Sequence, residues 1–176
     1  MRVLVYGFGP YKAFRDNITA KIIEALPDRP GLTKVVFPVR FHRTPFVQAL
    51  EKHRPDAVIG LGQCGRRRIE IETRAKNGRR TRQTDALKPI RQNGPKSLPT
   101  TLQVKLGRPI ATSNNAGDYV CNYSIYVMLE YLSHMAPQVQ LSFIHIPHDY
   151  PLSTVTKMVA GAIDKLLLSA RVHSAP

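Results

Sequence analysis

A chain of 176 residues with 43% hydrophobic content is long enough for one domain with its own core, and too apolar to be a disordered basic tail. Its 26 Lys and Arg against 12 Asp and Glu give a formal charge of +14, so two readings stand open: a polyanion binder, or an enzyme with a basic surface. Two cysteines, Cys64 and Cys121, make no disulfide framework, and neither has a second Cys or a His at zinc-ligand spacing. The apolar run at Val3–Tyr6 is too short for a signal peptide, and no later run reaches membrane-span length. A cytoplasmic protein with reduced thiols is the expectation.

In chain order, Val3–Tyr6 reads as a buried strand ending at a glycine. Ile18, Ile22, Ile23 and Leu26 recur at helical spacing behind Asn17, a candidate N-cap. Residues 35–39 read as a second strand, 44–54 as a helix with Phe46, Ala49, Leu50 and His53 on one face, and 57–61 as a third strand. Glu70 and Glu72 alternate with Ile69, Ile71 and Thr73, the period of a strand with two unlike faces. Residues 76–99 are irregular, and 100–106 are expected to form a short strand. A polar turn over 113–118 leads into a helix over about 118–134. A strand over 141–147 stops at Pro147, and an amphipathic helix spans 152–168. The order predicts an α/β fold: a single domain over 1–176, built as a three-layer α/β/α sandwich on a twisted, largely parallel open sheet, with 171–176 as a loose tail.

Three features carry chemistry. Gly60-Leu61-Gly62-Gln63-Cys64-Gly65 matches the dinucleotide fingerprint, but a strand pattern follows it where the phosphate site needs a helix, so a tight turn is the favoured reading. Residues 66–96 hold eleven basic and three acidic side chains, which is +8 of the +14. No aromatic residue for base stacking lies among them, so a solvated face is favoured over a nucleic-acid site. Cys121 falls in the first turns of a predicted helix, where free N–H groups and the helix dipole stabilise a thiolate. His145, at the carboxyl end of an apolar strand, is a candidate base, and Glu72 is the candidate third member that orients it. Taken singly, buried filler explains Cys121, a satisfied core residue explains His145, and a surface carboxylate explains Glu70 or Glu72 equally well.

The segment Ser113-Asn114-Asn115-Ala116-Gly117-Asp118-Tyr119-Val120-Cys121-Asn122 resembles the nucleophile segment of the pyroglutamyl-peptidase I family, cysteine peptidases that remove N-terminal pyroglutamate. Phe143-Ile144-His145-Ile146-Pro147 is similar to the family's catalytic-His segment, and Glu72 with Ala75 and Asn77 to its Glu segment. Gly7-Phe8-Gly9-Pro10-Tyr11 with Asn17 resembles its N-terminal loop. The resemblance implies a triad of Cys121, His145 and Glu72 acting through a thioester. It implies a pocket for the flat lactam ring with Phe8, Tyr11, Asn17 and Gln63, and Arg82 near the oxyanion. It implies a peptide substrate with a blocked N-terminus, no cofactor or metal, no membrane or nucleic-acid partner, and a homo-oligomer, dimer or tetramer. Cys64 is left as a bystander thiol. The chain departs from the family pattern at Tyr11, Lys12 and Ala13, over 81–85, and in shortened stretches at 97–108 and after Pro147. Those departures keep two alternatives open: another small N-terminal acyl group as substrate, or a non-catalytic polyanion binder.

Overall fold

The computed structural model describes residues 1–11, 16–107 and 109–172, of which 169–172 are described as backbone only. Strand β1 (Val3–Phe8) is buried at every position, as expected of a central parallel strand. Helix α1 (Ile18–Ala25) starts where Asn17 Oδ1 accepts the Thr19 N–H at 3.0 Å. Strand β2 (Leu32–Phe37) begins earlier than the 35–39 apolar run suggests and stops before Pro38, which has no N–H to offer a ladder. Helix α2 (Arg43–His53) buries Phe46, Ala49 and Leu50. Then come β3 (Ala57–Cys64), β4 (Glu70–Glu72), β5 (Arg74–Lys76), β6 (Ser97–Pro99), β7 (Ala111–Ser113), α3 (Val120–Met135), β8 (Gln140–Pro147) and α4 (Leu152–Val172). The expected loose tail is helical through Val172; residues 173–176 lie outside the described residues, as do Lys12 and Ala13.

The main sheet runs β2-β1-β3-β8-β4-β7, with a separate ribbon of β5 and β6. Every neighbouring pair in the main sheet is parallel except β4 against β8. Alternation divides the side chains between two cores. Leu4, Tyr6, Phe8, Val58, Leu141 and Phe143 face α2 and α3. Val3, Val5, Ile59, Leu61, Ile144 and Ile146 face α1 and α4, where Val155, Val159 and Ile163 supply the buried stripe. Each such side chain gains about 1.5–3 kcal/mol from leaving water. Two helices on each face make the expected three layers. No helix among the described residues is long and apolar enough to cross a membrane.

Two expectations need correction. Residues 100–106 form no strand: Leu102, Val104 and Leu106 are buried alternately, but the backbone there meets the sheet only where the Thr101 and Leu102 N–H groups reach Leu141 O, at 2.9 and 3.0 Å. The alternation marks an extended segment packed over the second core without a ladder partner. Nor is the glycine fingerprint a turn. Strand β3 runs on to Cys64, so Gly60 and Gly62 lie inside it. A Cβ on Gly60 would collide with the Phe143 and Tyr6 rings, and one on Gly62 would stand 2.7 Å from Phe143 and 2.9 Å from Cys121 Sγ. These glycines make room for side chains crossing over the sheet.

Candidate active site

Cys121 is the second residue of α3, after Tyr119 at the N-cap. The first-turn N–H groups of a helix have no carbonyl within it to reach, so they are free for a ligand. Asn122 fixes this turn: its Oδ1 accepts the Lys76 N–H at 2.8 Å, and its Nδ2 donates to Lys76 O and Gly78 O at 2.9 Å each. Ser124 Oγ donates to Cys121 O at 2.8 Å and meets Tyr6 Oη at 3.0 Å. The turn that carries Cys121 is thereby fastened to β5 and β1.

Strand β8 brings His145 to the same place. Gly62 pairs with His145 across β3 and β8, and Cys121 Sγ lies over Gly62, so thiol and imidazole share one patch of sheet. His145 Nδ1 donates to Glu72 Oε1 at 2.6 Å, both side chains being buried, which turns Nε2 toward other partners. Glu72, the acid expected here, is fully buried against His145, whereas Glu70 turns to Arg66 and Arg68.

The electrostatics fit a nucleophile–base–orienter set. Burial works to raise the Glu72 carboxyl, but the hydrogen bond and charge of His145, with help from Ser113 and Arg66, outweigh it and hold Glu72 below its ordinary value. Burial pushes the Cys121 thiol up to about 12, and the neighbouring Cys64 and Glu72 add to this while Arg66 opposes it. The resting sulfur is thus a protonated thiol, and attack requires its proton to move to a base.

Beside Cys121 opens a cavity of about 640 Å³ that also reaches Phe8, Tyr11, Asn17, Gln63 and Arg82, while His145 and Glu72 lie outside its lining. Phe8 is buried and Tyr11 packs its ring on Tyr119 at 5.4 Å. Gln63 Oε1 accepts the Ile18 N–H at 2.9 Å, tying the cavity floor to α1. The Asn17 amide is occupied by the fold: Nδ2 donates to Gly9 O at 3.1 Å, and Oδ1 also accepts the Thr19 hydroxyl at 2.8 Å. Asn17 shapes the cavity wall through the N-terminal loop. Arg82 stands exposed at the mouth, its backbone N–H bound to Asp85 Oδ2 at 2.9 Å. A larger groove of about 710 Å³, lined by Leu102, Val104 and Lys165 among others, does not include Cys121 and is set aside as the reaction site.

The sequence reading missed two participants. Arg66 sits inside a basic run, which reads as solvated surface, yet its Nη1 donates to Glu72 Oε1 at 2.7 Å. Asn122 follows the cysteine without any pattern that marks it as a tie.

An α/β sheet that gathers a Cys at a helix start, a His and a Glu hydrogen-bonded to that His has the composition of a cysteine-hydrolase site. The chain's comparisons agree. The pyroglutamyl peptidase family profile matches residues 1–174. Pyrrolidone-carboxylate peptidase of Lactobacillus helveticus is 30% identical over 92% of this chain and 94% of its own, and that of Bacillus subtilis 30% identical over 97% and 89%. Pyroglutamyl peptidase I of Bacillus amyloliquefaciens superposes with a TM-score of 0.81 at 26% identity, over 92% of both chains. A mutant pyrrolidone carboxyl peptidase of Pyrococcus furiosus superposes with a TM-score of 0.79 at 27% identity, over 94% of this chain and 100% of its own. The chain belongs to the pyroglutamyl peptidase family, a family of hydrolases.

Proposed function

We propose that this protein hydrolyses the bond after an N-terminal pyroglutamate, with Cys121 as nucleophile, His145 as base and then acid, and Glu72 as the group that orients the imidazole. The observation that carries the reading is the placement of Cys121 Sγ over Gly62, opposite a His145 whose Nδ1 is held by Glu72 at 2.6 Å. His145 Nε2 takes the thiol proton as sulfur attacks the carbonyl that joins pyroglutamate to the next residue. The free N–H groups at the start of α3, with Arg82, stabilise the oxyanion. The imidazolium returns its proton to the leaving amine, and a thioester forms on Cys121. Water, deprotonated by His145, then releases pyroglutamate.

The cavity suits a lactam. Pyroglutamate has no free amine to recognise, so selection rests on shape and on hydrogen bonds to the ring N–H and C=O. Phe8 and Tyr11 supply flat apolar walls. Gln63, with Oε1 already bound, presents its amide nitrogen to a ring carbonyl. Parallel assays with pyroglutamyl, prolyl and free glutamyl amides test this. A pyroglutamyl rate far above the others supports it, and comparable rates point instead to a broader acyl specificity.

The polyanion reading loses support from the ion pairs of the basic segment. Arg66 and Arg68 are bound to Glu70, Arg80 pairs with Asp118 at 2.6 Å, and Arg91 pairs with Glu130. A cytoplasmic homo-oligomer, dimer or tetramer, completes the proposal. Two free thiols fit the reducing compartment, and sedimentation equilibrium measures the assembly.

A further inference from the structure

We propose that Arg66 is a positioning residue for this site: its guanidinium fixes the charge of Glu72 and bolts down the nucleophile's turn, and Glu70 and Arg68 extend that control out to solvent. The proposal rests on Cys121, His145 and Glu72 being the reacting groups. Four ionic contacts run inward from the surface with alternating charge. Arg68 Nε meets Glu70 Oε1 at 3.1 Å, Glu70 Oε2 meets Arg66 Nη1, Arg66 Nη1 meets Glu72 Oε1 at 2.7 Å, and Glu72 Oε1 meets His145 Nδ1 at 2.6 Å. The path runs from an exposed Arg68, at 72% side-chain exposure, through Glu70 and Arg66, at 13% and 30%, to a fully buried Glu72. Arg66 Nη2 also donates to the backbone carbonyl of Asn115, in the turn that delivers Cys121. One planar fork thus grips the orienting acid and the turn before the nucleophile, a geometry that a lysine's point charge does not reproduce.

The consequence is electrostatic. Glu72 shares one oxygen between Arg66 and His145, so the Arg66 charge bears directly on the acid that holds the imidazole. The same charge also favours the thiolate of Cys121. Other titratable or charged groups near this patch are Tyr6 on β1, Cys64 on β3 and Glu70 on β4, with His145 and Glu72 already described, and Tyr11, Arg80, Arg82, Asp118 and Tyr119 around the cavity beside Cys121. Neutralising Arg66 makes the set easier to protonate and the thiol harder to ionise. Neutralising Glu70 removes an opposing negative charge and acts in the reverse sense. The titration belongs to the coupled set and to no single member.

The test is the pH dependence of iodoacetamide alkylation at Cys121, read by peptide mapping, in the wild type and in folded Arg66→Met, Arg66→Lys and Glu70→Gln. Thermal melts establish folding. Arg66→Met moves the alkylation profile up by about one pH unit, within the range an adjacent charge commands. Glu70→Gln moves it down by a smaller amount. Arg66→Lys restores the profile but not the full kcat on a pyroglutamyl amide, because it cannot also grip Asn115. Loosened packing alone cannot give shifts of opposite sign. Profiles of both neutralised variants that coincide with the wild type, or that move in the same direction, overturn the proposal. Alkylation needs no turnover, so opposed shifts in a protein that cleaves no pyroglutamyl amide leave Arg66 its role and remove the substrate assignment.

Discussion

His145 Nδ1 lies 2.6 Å from Glu72 Oε1 although the two are 73 residues apart in the chain. Strand β4 enters the sheet antiparallel beside β8 and pairs Glu72 with Phe143, which puts Glu72 on the same face as His145 two residues further on. The one reversed neighbour in the main sheet is the step that brings the orienting acid to the imidazole.

Glu72→Gln tests this contact. The amide keeps the shape but loses the charge, and its nitrogen competes for the imidazole tautomer. The expected result is a fall in kcat of about 100-fold or more, with a smaller change in KM, measured on a pyroglutamyl amide. A loss of stability accompanies it, because Arg66 keeps its charge and loses a buried partner.

The β3 glycines give a paired prediction. Gly62→Ala forces a methyl to within 2.7 Å of Phe143 and 2.9 Å of Cys121 Sγ, whereas Gly65→Ala meets nothing within 4 Å. Gly62→Ala is expected to cost about 1–3 kcal/mol by overpacking and to lower kcat by displacing the sulfur. Gly65→Ala leaves stability and kcat near wild type. Denaturant melts and steady-state kinetics check both.

Alkaline stability reports on Cys121. The folded thiol is held up at about 12, above its ordinary 9.0. The unfolded thiol therefore ionises first as pH rises, so stability is full below about 9 and declines between 9 and 12. Cys121→Ala lacks this contribution. Its unfolding free energy falls less steeply over that window than the wild type's, as urea melts at several pH values will show. Parallel slopes contradict a half-buried thiol held protonated by its surroundings.

How much of this was legible follows from the kind of signal each residue gives. Strands β1 to β4 and β8, the four helices and the N-cap at Asn17 are local matters of period and turn chemistry and read directly from the chain, whereas the three-residue strands β5, β6 and β7 are too short to show a period. Glu72 stands out by its alternation with Ile69, Ile71 and Thr73 and by the family's Glu segment, but its contact with His145 depends on register against a strand some seventy positions away, which alternation within β4 cannot express. Arg66 was hidden because a charge run has the same composition whether it faces water or a buried carboxylate. Leu102, Val104 and Leu106 misled because burial on alternate positions looks like a strand even where no neighbour completes the ladder. Gly60 and Gly62 misled because their reason lies in rings contributed by β1 and β8.

The mouth of the cavity predicts a preference beyond the scissile bond. Arg82 is exposed there, and Arg80 is already paired with Asp118. Peptides with Asp or Glu after the pyroglutamate are expected to show kcat/KM about two- to fivefold above those with Lys or Arg at low salt, as suits an exposed charge contact. Arg82→Gln or 0.5 M salt should remove most of the difference. Equal rates in the wild type at low salt contradict it.

The most direct measurement is release of a chromogenic amine from its pyroglutamyl amide by the wild type and by Cys121→Ser, with folding of both verified by circular dichroism. Hydrolysis by the wild type that falls by about 1,000-fold or more in Cys121→Ser is the expected result, since a hydroxyl with the same base is a far weaker nucleophile. Undiminished hydrolysis in the folded Cys121→Ser protein, or none in the wild type, contradicts the account.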